Sequence, residues 1–247
     1  MRGLTIAACL LLAACGSEAD GPAQNTPEVE DGAEAHERSH EAAAEGIRGP
    51  AGADAVDCSS GSDDPEQIDL FAESAGNGNL SGAIRGLETL CGRHPSSATA
   101  RVRLGEMLLR TQPPRAAQAD TWLTRALELH ELGCTLGFRD HWAALEGQAL
   151  SHMMRGDYAA AIAPLRASIR AWPGLRSTHY NLACALCQTG DVPGCRAEIE
   201  IALSNIEAPS FLAEQSRPAD HYRAMVRRDP DLAPLRVDAA ALASLLD

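Results

Sequence analysis

The chain has 247 residues, of which 45% are hydrophobic and only 4% aromatic, a composition that favours closely packed helices over a β-sandwich. All 21 basic residues are arginine, which excludes the enzyme classes that need a P-loop, kinase or Schiff-base lysine. The formal net charge of −13 is opposite to the basic face of a nucleic-acid-binding protein, so no nucleic-acid partner is predicted.

The N-terminus has the pattern of a secretory signal peptide over residues 1–14. Its apolar run, Leu4–Leu12, is far shorter than the roughly 20 residues of a membrane-spanning helix. The string Leu12-Ala13-Ala14-Cys15 resembles the bacterial lipobox, in which the peptidase cuts before a lipidated cysteine. This resemblance implies a mature protein that begins at lipidated Cys15 in the cell envelope, and Gly16 after it implies the outer rather than the inner membrane.

Residues 15–65 are predicted to form a disordered acidic linker between the lipid and the folded part. From residue 16 to residue 66 the chain has 14 acidic side chains against Arg38 and Arg48. Large apolar residues are almost absent there, so burial cannot offset the entropy lost on ordering the chain. The sequence therefore predicts a tether.

One motif in the linker leaves an alternative open. His36-Glu37-Arg38-Ser39-His40 matches H-E-x-x-H, which on a helix supplies two zinc ligands and a general base. A metallopeptidase is therefore an alternative function. The charged Arg38 between the histidines and the lack of apolar sequence around them favour a chance match, so no metal site and no cofactor are predicted.

Two later segments repeat at an interval of 34 residues. Gly156-Asp157 and Gly190-Asp191 occupy the same register, and apolar residues recur at helical spacing on both sides of each turn. In the first of these units the small side chains of Ala149 and Ala161 are expected to pair across the turn. The pattern resembles the tetratricopeptide repeat, in which two antiparallel helices pack through such a pair.

Two looser units precede these, one around Gly78-Asn79 and one containing Leu104-Gly105. The resemblance implies four helical hairpins over residues 66–207, arranged as an all-α right-handed superhelix, with residues 131–140 as a connector before the third. Residues 208–247 are expected to cap the array. Their string Asp229–Arg236 (DPDLAPLR) is similar to the segment that closes many bacterial arrays of this family.

The cysteines leave two possibilities. Cys187 and Cys195 lie on either side of the Gly190-Asp191 turn, and a disulfide between them is predicted for an exported chain. Cys184 and Cys187 also form a C-x-x-C motif, so a thiol oxidoreductase is a second enzymatic alternative. That motif falls late in a predicted helix rather than at a helix N-terminus, where thiolates are stabilised.

The leading prediction is a non-catalytic module that binds a protein or peptide near a membrane. In the resembling family, ligands lie in the concave groove lined by the first helix of each pair. Mapped by register, the candidate groove residues here are Glu106, Arg110, Glu146, Leu150, Met153, Tyr180 and Gln188.

Overall fold

A computed structural model describes residues 58, 65–204, 206–210, 212 and 217–246, and in them every regular element is helical. The α-helices are α1 (Pro65–Gly76), α2 (Leu80–Arg93), α3 (Ala98–Leu109), α4 (Ala116–Glu131), α5 (Phe138–Met154), α6 (Tyr158–Ala171), α7 (Arg176–Gln188), α8 (Val192–Leu203), α9 (Ala219–Val226) and α10 (Ala239–Leu246), and a 3-10 helix, η1, spans Pro230–Val237. The predicted signal peptide, Cys15 and the His36–His40 motif lie outside the described residues.

The first eight helices form four consecutive pairs: α1 with α2, α3 with α4, α5 with α6, and α7 with α8. The first helices of successive pairs also meet: α1 packs on α3 and α3 on α5, and Glu146 of α5 is hydrogen-bonded to Thr178 and Asn181 of α7. Consecutive pairs therefore share one stacked arrangement in which the first helices α1, α3, α5 and α7 are neighbours. We call their outward surface the first-helix face. None of the described helices has the length and apolar character needed to cross a membrane.

The tight turns inside the pairs explain the 34-residue period. Gly156 and Gly190 have φ angles of 78° and 90°, a left-handed conformation that glycine adopts without steric cost. The aspartate that follows each glycine caps the next helix: the Asp157 side chain accepts from the Ala160 amide, and Asp191 accepts from the Gly194 amide. Each Gly-Asp dipeptide therefore ends one helix and starts the next.

Small residues let the paired helices approach closely. Ala149 and Ala161 are fully buried where α5 meets α6. Between α3 and α4 the Leu123 side chain occupies the space beside Gly105, where a Cβ would come within 2.5 Å of Leu123 Cγ. Leu123 is itself fully buried, so it has no open space into which to move. The Leu-Gly signature in the sequence thus marks a real contact between the helices.

The connector before the third pair is shorter than predicted. The sequence suggested residues 131–140, but α5 already begins at Phe138. Gly137 is extended, with φ −62° and ψ 159°, and Asp140 lies in the first turn of α5, where a carboxylate interacts favourably with the helix dipole. The three extra helical residues bring Asp140 next to α3, where its Oδ1 accepts a hydrogen bond from Arg103 Nη2 at 2.6 Å.

Candidate functional site

The structure places the seven candidate groove residues in two different environments. Glu106 on α3 and Arg110, the residue directly after α3, are partly exposed, and Gln188 is exposed at the end of α7. Four others are buried: Glu146 (2% exposed), Leu150 (8%), Met153 (4%) and Tyr180 (1%). These four do not line an open groove, which corrects the placement that the repeat register suggested. The contacts that cover Glu146 and Tyr180 give the physical reason.

Glu146 lies at the centre of a polar network that joins three helices. Its Oε1 accepts hydrogen bonds from Ser168 Oγ on α6 at 3.3 Å and from Thr178 Oγ1 on α7. Its Oε2 accepts from Asn181 Nδ2, also on α7, at 3.1 Å. A buried carboxylate with three donors is satisfied within the chain, so Glu146 ties α5 to α6 and α7 and is not available to a ligand.

Burial raises the pKa of Glu146, because removing a carboxylate from water disfavours its charged form. The hydrogen bonds from Thr178, Asn181 and Ser168 act in the opposite direction and stabilise the charge, but they do not outweigh the burial. The protonated carboxyl is therefore favoured more in the folded chain than in an unfolded one.

The first-helix face of α7 is covered by the chain's own C-terminal segment, Asp229–Arg236. Tyr180 Oη donates to Asp229 Oδ2 at 2.7 Å. Gln188 Nε2 donates to the Asp231 backbone carbonyl at 2.8 Å, and Tyr158 Oη donates to Asp231 Oδ1 at 2.8 Å. Two of the candidate groove residues, Tyr180 and Gln188, therefore do contact a peptide segment, but that segment belongs to the same molecule.

The docked segment also forms the one cluster of potential metal ligands found in the described part of the chain. Cys184 Sγ and carboxylate oxygens of Asp229 and Asp231 lie within 4.8 Å of one another. Burial and the neighbouring Asp229 raise the pKa of Asp231, whereas the hydrogen bond from Tyr158 lowers it. A thiol and two carboxylates are ligands suited to a divalent cation, yet both carboxylates already accept tyrosine hydrogen bonds.

The partly exposed part of the first-helix face lies on α3, beside the first turn of α5. Arg103 donates from Nη1 to Glu106 Oε2 at 2.8 Å and from Nη2 to Asp140 Oδ1 at 2.6 Å, so it ties the two helices together. The Glu106 side chain is 32% exposed, against 15% for Asp140. One turn later, the Arg110 guanidinium contacts Met107 Sδ at 3.5 Å, and no carboxylate among the described residues lies within ion-pair distance of it.

Two disulfides cross-link the described residues. Cys187 is joined to Cys195, with their Cα atoms 5.2 Å apart across the α7–α8 turn. Cys58 is joined to Cys134, also with a Cα separation of 5.2 Å, a pairing that the sequence analysis did not identify. Because the Cys187 sulfur is bonded to Cys195 and Cys184 is buried at the docked segment, the geometry does not favour a Cys184–Cys187 redox pair.

A second concave surface, missed by the sequence analysis, lies between α4, α5 and α6. Its volume is about 430 Å³, with Leu127, Leu145 and Pro164 among its apolar lining residues. At its edge the rings of His130 and His141 lie 4.3 Å apart. Burial, with a smaller contribution from His130, lowers the pKa of His141 to about 4, so this imidazole is neutral at pH 7 and adds no positive charge.

No protein-family model matches the sequence. No curated protein shows detectable sequence similarity to it. Among solved structures, one described as "MamA RS-1 ArsTM double mutant" superposes with a TM-score of 0.50 over 73% of this chain and 94% of its own, at 16% sequence identity. At this identity the likeness shows the fold alone: an all-helical array of paired helices of the tetratricopeptide type.

Proposed function

We propose that this protein is a non-catalytic scaffold that holds an extended peptide segment of a protein partner on the partly exposed first-helix face of α3, beside the first turn of α5. The observation that carries the proposal is the partial exposure of Glu106 and Arg110 on a helix-pair array whose first-helix face at α7 is already covered. Helix-pair arrays use such extended surfaces to bind peptides and proteins rather than small cofactors.

The two side chains offer complementary polar contacts. The planar guanidinium of Arg110 suits a carboxylate of the bound segment, which it can contact through two parallel hydrogen bonds. Glu106, already held in place by Arg103, presents an acceptor for a backbone amide or a basic side chain. Because Arg103 fixes the spacing of α3 and α5 through Asp140, the face is preorganised before any partner arrives.

The test is site-specific photo-crosslinking in the cells that make the protein. A photoreactive residue replacing Arg110 is expected to capture a discrete partner. The same residue replacing Arg125, which is exposed on the second helix α4, is the matched control and is expected to capture none. Adducts from both positions, or from position 125 alone, would contradict a binding surface at α3 and α5.

Alanine variants then measure the contribution of the face. Arg110→Ala is expected to weaken capture of that partner by roughly tenfold, whereas Arg125→Ala leaves it unchanged. Tyr180→Ala and Met153→Ala are unsuitable for this purpose, because both side chains are buried and their removal would destabilise the fold.

We further propose that a lipid on Cys15 anchors the mature chain in the envelope, most favourably in the outer membrane. The lipobox-like string before Cys15 supports this part of the proposal. Metabolic labelling with a fatty acid should mark the wild-type chain and not Cys15→Ser, and density-gradient fractionation should recover the label with the outer membrane. A Cys15→Ser chain that is still cleaved and still membrane-bound would contradict the anchor.

A further inference from the structure

A buried histidine on α7 joins three parts of the last two helix pairs. His179 is 4% exposed. Its Nδ1 lies 2.6 Å from Glu198 Oε2 on α8, and its Nε2 lies 2.9 Å from the backbone carbonyl of Pro173, in the turn between α6 and α7. One imidazole ring therefore bridges its own helix, the next helix and the preceding turn.

The two partners decide the protonation state of this ring. The Pro173 carbonyl oxygen can only accept a hydrogen bond, so Nε2 must carry a proton. An ionised carboxylate is likewise an acceptor, so Nδ1, which faces Glu198, must carry a second proton. A neutral imidazole has one N–H and satisfies only one of these partners. The contacts of His179 therefore fit the imidazolium and not the neutral ring.

Two carboxylates favour the charged ring. Burial by itself would lower the pKa of His179. The hydrogen bonds to Glu198 and Pro173 and the charges of Glu198 and Glu146 outweigh burial, so the pKa of the imidazole is raised above its usual value of 6.5. In return, the positive ring opposes the burial that raises the pKa of Glu146.

The turn that His179 holds also supports the chain where it leaves α8. Arg176, the first residue of α7, donates to the backbone carbonyls of Ala202, Ser204 and Ile206. At Gly174 the backbone carbonyl of Glu207 lies so close that it leaves no room for a Cβ. Because His179 bonds to Pro173, the residue directly before Gly174, it also fixes the surface against which the chain lies after α8.

Loss of one proton leaves this arrangement with one donor too few. The neutral ring directs its single N–H either to Glu198 or to Pro173, and the other acceptor then faces a nitrogen lone pair. Two acceptors in a buried contact repel each other and lack a hydrogen bond, so one of the two contacts opens. Since the folded-state pKa of His179 is raised, its contribution to stability is complete below pH 6.5 and is lost as the pH rises through the folded-state pKa.

We propose that His179 is a proton-operated clasp: as an imidazolium it holds α8 and the α6–α7 turn on α7, and loss of its second proton at higher pH loosens the last helix pair. The clasp involves neither Glu106 nor Arg110. It therefore goes beyond the binding surface proposed above and does not depend on a partner at α3.

The first test follows the histidine ring nitrogens of the full chain by NMR after nitrogen-15 labelling. At pH 6.5 one of the eight histidines is expected to keep both ring nitrogens mostly protonated. Glu198→Gln removes the facing charge and should lower the titration midpoint of that histidine by at least about one pH unit, a tenfold change in proton affinity. Glu200→Gln, at an exposed position on the same helix, is the matched control and should leave the midpoint unchanged.

The signal of His179 is the one missing from the spectrum of His179→Gln. Should that variant not fold, the response to Glu198→Gln identifies the signal, because among the described residues the Glu198 carboxylate contacts one histidine. The proposal is wrong when no histidine is mostly protonated at pH 6.5, or when the two glutamate variants move the midpoint equally.

The second test measures the loosening by amide hydrogen exchange with mass spectrometry, corrected for the intrinsic pH dependence of exchange. In wild type and in Glu200→Gln, protection of the α8 amides should fall at least about tenfold between about pH 6 and about pH 9, whereas protection in α2 should stay within about twofold. In His179→Gln the α8 amides should already be less protected at the lower pH and should change little with pH.

Equal falls in α2 and α8 would show a global rather than a local effect and would overturn the proposal. The same fall in His179→Gln as in wild type would overturn it as well, because the clasp is absent there. Where circular dichroism shows that His179→Gln has lost helicity, Glu198→Gln gives the same comparison, since it removes the clasp from the α8 side.

Discussion

Acidic side chains serve two different purposes on the first helices of the array. Glu106 on α3 and Asp140 at the start of α5 form ion pairs with Arg103 at a partly exposed position. Glu146, further along α5, is buried and accepts hydrogen bonds from three neutral donors. The difference in exposure decides the role, because a buried carboxylate must be satisfied by the chain itself, whereas an exposed one can still meet a ligand.

The first-helix face also differs in what covers it at α3 and at α7. Glu106 on α3 and Arg110 directly after that helix are partly exposed. At α7 the Asp229–Arg236 segment covers the face, with Asp229 bonded to Tyr180 and the Asp231 carbonyl bonded to Gln188. The proposed binding surface therefore lies at α3, whereas the last pair makes a contact within its own chain.

The largest expected effect is the loss of unfolding free energy on removing a disulfide, and this loss should differ between the two disulfides. Cys58–Cys134 joins residues 76 positions apart, and Cys187–Cys195 joins residues 8 apart. Loop-closure entropy predicts a loss of unfolding free energy of about 4 kcal/mol for Cys58→Ser/Cys134→Ser and about 2.5 kcal/mol for Cys187→Ser/Cys195→Ser. Urea unfolding without reductant measures both. A larger loss for the second pair would mean that local packing, not loop length, sets the contribution.

The next effect tests whether Glu146 is structural. Glu146→Ala leaves Ser168, Thr178 and Asn181 without their acceptor inside the core and is expected to lower the unfolding free energy by about 3 kcal/mol. Glu106→Ala removes a partly exposed carboxylate and should lower the unfolding free energy by less than about 1 kcal/mol. Urea unfolding of both variants checks the contrast, and equal losses would contradict it.

The pH dependence sharpens the assignment of Glu146. Its folded-state pKa is raised above the usual value of 4.5, so the folded chain binds this proton more tightly than the unfolded chain does. The contribution of Glu146 to stability is therefore greatest below pH 4.5 and declines as the pH rises through the folded-state pKa. Glu146→Gln lacks this titration, so the stability difference between wild type and Glu146→Gln should shift in favour of the variant between acidic and neutral pH.

A smaller effect is expected from helix spacing in the N-terminal half. Gly105→Ala places a Cβ against buried Leu123 and should lower the unfolding free energy by about 1–2 kcal/mol through overpacking, despite the better helix propensity of alanine. Gly92→Ala on α2 is the matched control, since nothing lies within 4 Å of a Cβ there. That change is expected to be neutral or stabilising by a few tenths of a kcal/mol.

The smallest effect concerns the ion pairs of the open face. Arg103→Ala should lower the unfolding free energy by about 1 kcal/mol in low salt, because the pairs are only partly buried, and by less in 1 M salt, where charges are screened. The exposed pair of Arg125 with Glu128 offers a control, and Arg125→Ala should change stability by no more than a few tenths of a kcal/mol. A salt-independent loss for Arg103→Ala would point to packing rather than charge.

Much of the helix-pair fold was predictable from the sequence because its signals are local. Gly156-Asp157 places a left-handed residue directly before a helix cap, and the same pair of residues returns 34 positions later. The resulting helices bury the small residues that the register had paired, Ala149 and Ala161. Each of these features depends on side chains within about one helical hairpin, where spacing along the chain and distance in space are closely linked.

The candidate site was less predictable because register gives the direction of a side chain but not what covers it. Tyr180 does face the first-helix side of α7, yet its hydroxyl meets Asp229, 49 residues later in the chain. Glu146 likewise faces its neighbours, but the donors from α6 and α7 enclose it. No local sequence pattern predicts either contact.

The sequence by itself determined the helix pairs, their turns and their caps, because these follow from backbone conformation and from apolar residues a few positions apart. Only the tertiary structure decided that Cys58 pairs with Cys134, that four candidate groove residues are buried, and that Asp229–Arg236 closes the face of α7. Those outcomes depend on which distant surfaces meet once the pairs have stacked. The free energy of such contacts comes from burial and hydrogen bonding between segments that share no periodicity in the chain.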